Sequence, residues 1–228
     1  MPPPSGWESA GGRPYYKQFN GGVRMTILAI GAHPDDIEYG CGGTLLKCSR
    51  RGHDIYLYVA TAGDFGGDPS VRMKEQEASA QKIGARHIFW GGYKDTQIPM
   101  SQDLIASLEG VIRQVRPDFI FVHYPDDTHQ DHRTLAQATI TATRYTRNFL
   151  FYEGLTTQNF NPSVYVDIEE TLEDKFELLR LHRSQVTKTN ISDMTVLELA
   201  KSTANFRGIQ GRVKYAEAFC PSRLFIII

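Results

Sequence analysis

From Met25 onward, short apolar runs alternate with longer stretches in which apolar residues recur every three or four positions. "MTILAIGA" (25–32) reads as a buried strand that stops abruptly at "HPDD". "GGTLLKCSRRG" predicts a helix stopped by Gly52, and "DIYLYVATAG" a second strand. "PSVRMKEQEASAQKIGA" predicts a helix closed by Gly84, followed by a third strand at "HIFWGG". In "SQDLIASLEGVIRQVRP" the residues Leu104, Ile105, Leu108, Val111, Ile112 and Val115 trace one face of a 3.6-residue period. "DFIFVHYP" and "FLFYEG" are the fourth and fifth strands, around a helix at "HRTLAQATITATRYTR". Strands that alternate with helices of this length require crossovers, hence an α/β fold whose mostly parallel central sheet is covered on both faces.

After residue 161 the pattern loosens. "PSVYVDI" predicts one more strand, and helices follow at "EETLEDKFELLRLHRSQ" and near "DMTVLELAKSTANF". These extend the same unit, so residues 25–228 are read as one domain. The closing "LFIII" has high β-propensity and is expected to pair in the sheet or at a subunit contact, which makes a homo-oligomer an expectation. Residues 1–24 are rich in Pro and Gly and lack an apolar signal-peptide segment, so they predict a poorly ordered extension.

Composition narrows the partners. A net charge of -1 over 228 residues gives no pull toward nucleic acid or an anionic membrane. No run approaches the roughly 20 apolar residues of a membrane span. Three scattered cysteines form no disulfide framework, which fits a reducing, cytoplasmic setting.

In open α/β sheets, ligands bind beyond the carboxyl ends of the strands. The rim collects His33, Asp35 and Asp36 after the first strand, Asp64 and Phe65 after the second, Tyr93 and Asp95 after the third, and Asp126, Asp127, His129, Asp131 and His132 after the fourth. Taken singly, "HPDD" reads as a helix cap and "HQDH" as a solvated face. Two such motifs on one rim favour a metal site. His33, Asp36 and His132 offer two imidazoles and a carboxylate with a position left open, the donor set of catalytic zinc. Asp35 then stays free to take a proton from water. His123 reads as a satisfied strand residue, and His53, His87 and His182 as structural. The glycines Gly40, Gly42 and Gly43 match no nucleotide-binding motif.

"AHPDDIEYGCGGTL" with "HQDHR" about a hundred residues later resembles the zinc-dependent N-deacetylases of the LmbE-like or PIG-L family. Looser support comes from "SVRMKEQEASAQKIGA", "GYKDTQIP", "LEDKFELLRLHRSQ" and "YAEAFC". The resemblance implies a Rossmann-like three-layer sandwich that removes an acetyl group from an N-acetylated amino sugar or glycoconjugate. It implies Zn2+ (with Fe2+ or another divalent metal as substitutes) on His33, Asp36 and His132, and Asp35 as general base. His129 would stabilise the oxyanion or protonate the leaving amine, with Asp131 orienting its ring. Arg72 and Asp95 would contact substrate hydroxyls. One departure is visible: many members read HPDDE, whereas here Ile37 follows the pair and Glu38 comes next. Two rival readings use the same residues. One is a non-haem Fe(II) enzyme built on the His/Asp/His set; the other is a nucleotide-binding module in which the histidines are structural.

Overall fold

The computed structural model describes residues 17–19, 22–189 and 191–226. A short hairpin, β1 (Lys17–Phe19) and β2 (Gly22–Arg24), precedes the main sheet. Part of the stretch expected to be poorly ordered is therefore paired; residues 1–16, 20 and 21 lie outside the described residues. The chain continues through β3 (Thr26–Gly31), α1 (Asp36–Arg50), β4 (Asp54–Thr61), α2 (Pro69–Ile83) and β5 (His87–Tyr93). It then forms α3 (Gln102–Val115), β6 (Phe119–His123), α4 (Gln130–Ala142), β7 (Asn148–Tyr152) and β8 (Val164–Asp167). A 3-10 turn (Glu169–Thr171) leads into α5 (Leu172–Leu181), α6 (Val196–Gly211) and β9 (Ala216–Arg223).

The strands form one seven-stranded sheet in the order β5-β4-β3-β6-β7-β9-β8. The five strands from β5 to β7 pair in parallel, while β9 pairs antiparallel with both β7 and β8. Alternation within each strand builds the layers. Ile27, Ala29, Leu57 and Val59 pack with Ile37, Cys41 and Leu45 of α1 and Ile83 of α2. Their neighbours Leu28, Ile30, Tyr58 and Ala60 pack with Leu104 and Leu108 of α3 and with Leu135 and Ala138 of α4. Each fully buried leucine of this kind stabilises the fold by roughly 1.5–3 kcal/mol. The sequence-expected three-layer sandwich is the fold observed.

Local signals account for the helix ends. The Asp68 side chain accepts from the N–H groups of Ser70 and Val71 at the start of α2, Pro69 occupies its first position, and Gly84 closes it at φ 80°. Helix α1 departs from the sequence reading, because it begins at Asp36 rather than at the glycines. Glycine is a poor helix former, so the sequence places the helix start at Gly42, after Gly40, and not ahead of it. Tertiary packing overrides this: a Cβ at Gly40 would overlap the Tyr152 ring.

The closing segment also differs. The strand is β9, and Leu224, Phe225 and Ile226 lie beyond its end and are exposed; 227 and 228 are outside the described residues. Among the described residues no helix is long and apolar enough to cross a membrane.

Candidate metal centre

The chain runs from β3 to β4 and β5 on one side of the sheet, whereas β6 and β7 lie on the other, so the strand order switches between β3 and β6. That is where a crevice opens in doubly wound sheets. The loop after β3 delivers His33, Asp35 and Asp36 to it, and the segment after β6 delivers Asp127, His129 and His132. Nearly one hundred residues of sequence separate the two motifs, yet the rings of His33 and His132 lie 5.4 Å apart, centroid to centroid.

Asp36 stands between the two histidines. Its Oδ2 is 3.2 Å from His33 Nδ1, and its Oδ1 is 3.4 Å from His132 Nε2. The His33 backbone N–H also donates to Asp36 Oδ2 at 2.7 Å, which locks the carboxylate against the loop. On the far side of each ring a further carboxylate holds the second nitrogen. His33 Nε2 is 2.9 Å from Asp95 Oδ1 and 3.3 Å from Asp131 Oδ2. His132 Nδ1 is 3.2 Å from Asp127 Oδ2. Asp127 is itself saturated: it accepts from the His129 N–H at 2.8 Å, from Thr156 Oγ1 at 2.6 Å and from Thr157 Oγ1 at 3.0 Å. A carboxylate behind a histidine is the usual way to aim its other nitrogen at a metal.

These residues fit a divalent ion. Three donors of suitable chemistry, His33 Nδ1, an Asp36 oxygen and His132 Nε2, converge from two loops, each backed by a fixed partner. Among the described residues, three groups bring their donor atoms within 4.8 Å of one another, namely His33, His129 and His132; Asp36, His123 and His132; and His33, Asp95 and Asp131, so the proposed trio is spread over overlapping groups.

The charges tell the same story without a metal. Burial opposes charge on His33, but Asp131, Asp36 and Asp95 raise it well above its ordinary value. His132, also working against burial, is raised to about 9 by Asp36 and Asp127. Asp36 is held far below the carboxylate range by His132 and His123 despite its burial. Withdrawal from water pushes Asp35 up to about 6, against the pull of Arg72. Burial, His132 and His33 lower His129.

Asp35 precedes α1 at φ 102° and ψ -24°, a conformation that costs a non-glycine residue about 1–3 kcal/mol. Its side chain caps nothing, so the helix-cap reading of "HPDD" fails; the carboxylate instead meets Arg72, whose Nη2 lies 3.4 Å from Asp35 Oδ1.

Three of the expected site residues have partners within the protein. Asp131 was expected to orient the His129 ring, and its contact with that ring is made by the backbone. His129 Nδ1 accepts from the Asp131 backbone N–H at 3.2 Å, while the Asp131 carboxylate faces His33 and accepts from the Thr96 and Ile98 N–H groups. Arg72, expected to meet substrate hydroxyls, is 4% exposed and donates to the carbonyls of Gly63 and Pro34. Asp95, 3% exposed, is committed to His33 and to the Phe65 N–H. Both side chains are buried, with partners in the loops around His33 and Asp35.

Two residues of the site escaped the sequence reading. Asp127 was one of several aspartates after β6, and only the fold singles it out. His123, the last residue of β6, accepts from the Ala32 N–H at 3.1 Å, lies 3.2 Å from Asp36 Oδ2 and stacks on His132 at 3.9 Å.

Residues 28–143 match the family described as PIG-L, GlcNAc-PI de-N-acetylase. An "uncharacterized deacetylase" of Escherichia coli K12 is 35% identical over 170 residues, 71% of this chain and 92% of that protein. The N,N'-diacetylchitobiose deacetylase structure from Pyrococcus horikoshii superposes with a TM-score of 0.74 at 27% identity, covering 86% of this chain and 83% of that one. The 4-carboxy-2-hydroxymuconate hydratase of Pseudomonas putida KT2440 shares the fold alone, with a TM-score of 0.76, 17% identity, and coverage of 90% and 98%.

Proposed function

Because this chain belongs to the PIG-L family, we propose that it hydrolyses the acetamide of an N-acetylated amino sugar or glycoconjugate, using zinc held by His33, Asp36 and His132. The observation that carries the reading is the pairing at each histidine: one ring nitrogen faces Asp36 and a carboxylate holds the other. A resident divalent ion supplies Lewis acidity to the amide carbonyl and acidifies water.

The protein's own residues supply the rest. Asp35, partly exposed and free of capping duty, accepts the proton of the attacking water as its oxygen bonds to the acetyl carbon. With its basicity lowered, His129 is neutral near pH 7. Its Nδ1 accepts the Asp131 N–H, so its proton sits on Nε2 as a donor to the developing oxyanion. As the C–N bond breaks, the proton taken up by Asp35 passes to the departing amine, and acetate and a free amino sugar leave.

A cytoplasmic location, residues 25–228 as one domain, and a homo-oligomer formed through the exposed Leu224–Ile226 segment belong to the same proposal. The free cysteines Cys41, Cys48 and Cys220 support the first. The decisive experiment pairs elemental analysis with acetate release from N-acetylglucosamine and N,N'-diacetylchitobiose, wild type beside His132→Ala. About one zinc per wild-type chain, lost together with acetate release in the variant, is expected. A wild type that takes up no zinc on reconstitution would overturn the reading.

A further inference from the structure

Two side chains of α2, one helical turn apart, grip the two polar ends of a single peptide bond. Arg72 Nη2 donates to the Pro34 carbonyl at 2.7 Å, and Gln76 Oε1 accepts from the Asp35 N–H at 3.2 Å. Residues four apart on a helix share a face, so one face of α2 reads both edges of the Pro34–Asp35 peptide plane. That plane sets φ of Asp35. Its value of 102° is one that a residue with a side chain leaves readily, and rotation of the peptide plane is the simplest way out. Such a rotation would exchange the carbonyl and the N–H and present each clamp with the wrong partner.

The Gln76 amide is fixed in turn. Its Nε2 donates to Glu38 Oε1 at 2.7 Å, and Ser79 Oγ donates to the same oxygen at 2.6 Å. Gln76, Ser79 and Glu38 are all fully buried. Glu38 Oε2 faces His182 Nε2 at 3.5 Å. A carboxylate accepts but does not donate, so the amide can stand only one way round, with its oxygen toward Asp35. Here the departure from HPDDE acquires a meaning, since the glutamate displaced by one position sits behind the clamp.

We propose that Gln76, oriented by Glu38, is a positioning residue that holds the Pro34–Asp35 peptide in the strained conformation that aims the Asp35 carboxylate. The inference rests on the deacetylase reading for the role of Asp35, but not for the clamp itself.

The test uses the zinc-reconstituted full chain with N,N'-diacetylchitobiose as probe, and Gln76→Met, which keeps the length of the side chain but offers no acceptor. Turnover should fall about ten- to a hundredfold, with KM and zinc content changed less than about twofold. The exchange Glu38→Gln with Gln76→Glu restores both a donor to position 76 and an acceptor for the Asp35 N–H, and should recover kcat to within about threefold of wild type. A purely packing role predicts a lower melting temperature with unchanged kcat, and that result would overturn the proposal. A second readout needs neither activity nor a variant that folds: amide hydrogen exchange at Asp35 in the wild type, followed by NMR. Protection comparable to the α1 amides is expected, and rapid exchange would sink the clamp. Wild type without acetate release points instead to failure of the deacetylase reading.

Discussion

The Asp127 carboxylate sits 3.2 Å from His132 Nδ1, on the side of the ring away from Asp36. It also collects the His129 N–H and the hydroxyls of Thr156 and Thr157, so one group ties the helix carrying His132 to the loop after β7. Replacing it with Asn keeps the shape but removes the charge that orients the ring. Asp127→Asn should weaken zinc binding about 10- to 100-fold, measured by competition with a chromophoric chelator. Unchanged affinity would mean that His132 is held by packing alone.

Protons and metal compete for the same nitrogens. In the metal-free protein His33 is raised well above its ordinary value and His132 to about 9, so both imidazoles hold protons at neutral pH. A raised imidazole binds its proton below that value, and a metal must displace it. Zinc affinity should therefore fall as the solution is acidified from about pH 9 and level off above it. Calorimetry in buffers of differing ionisation heat should register release of between about one and two protons near pH 7. An affinity flat between pH 6 and 9 would contradict the ligand set.

Asp35→Asn removes the base without touching a proposed ligand. It should keep its zinc and lose about 10²–10⁴-fold in kcat, with acetate release as the assay. Near-normal turnover would assign the proton transfer elsewhere.

Gly40→Ala places a methyl group into the Tyr152 ring, whose hydroxyl donates to the Ile30 carbonyl at 2.8 Å and whose centroid lies 4.9 Å from the His123 ring at a tilt of 55°. Neither neighbour has room to retreat from the core. A loss of about 1–3 kcal/mol is expected in urea unfolding.

The parallel half of the fold was legible because its strands and helices each carry a clean period, and α2 and α3 bring their own caps. Helix α1 was started too late, at Gly42 and not at Asp36, because Gly40 looks like a helix breaker, whereas the Tyr152 ring pressed against the helix leaves no room there for a Cβ. Strand β9 was missed because "AEAFCPSR" includes Pro221 and lacks a continuous apolar run; it is a strand because it has partners on both sides. In the site, His33, Asp36 and His132 were found through motif position, a local property. The partners of Asp95, Asp131 and Arg72 depend on which loops become neighbours, and no spacing in the chain encodes that. His123 and His182 looked structural for the same reason. Each meets a carboxylate that is remote in sequence or on another element.

Glu217 of β9 accepts from the N–H groups of Gly43 and Thr44, 174 and 173 residues upstream, and pairs with Lys175 of α5. The helix that presents Asp36 thus receives its anchor from the last strand of the chain, which lies between β7 and β8 in the sheet. Contacts of such high order form slowly and late in folding. A chain interrupted before residue 217 would carry every proposed ligand and still lack the brace on α1. Metal uptake during refolding should therefore track completion of the sheet, not the earlier appearance of helical signal.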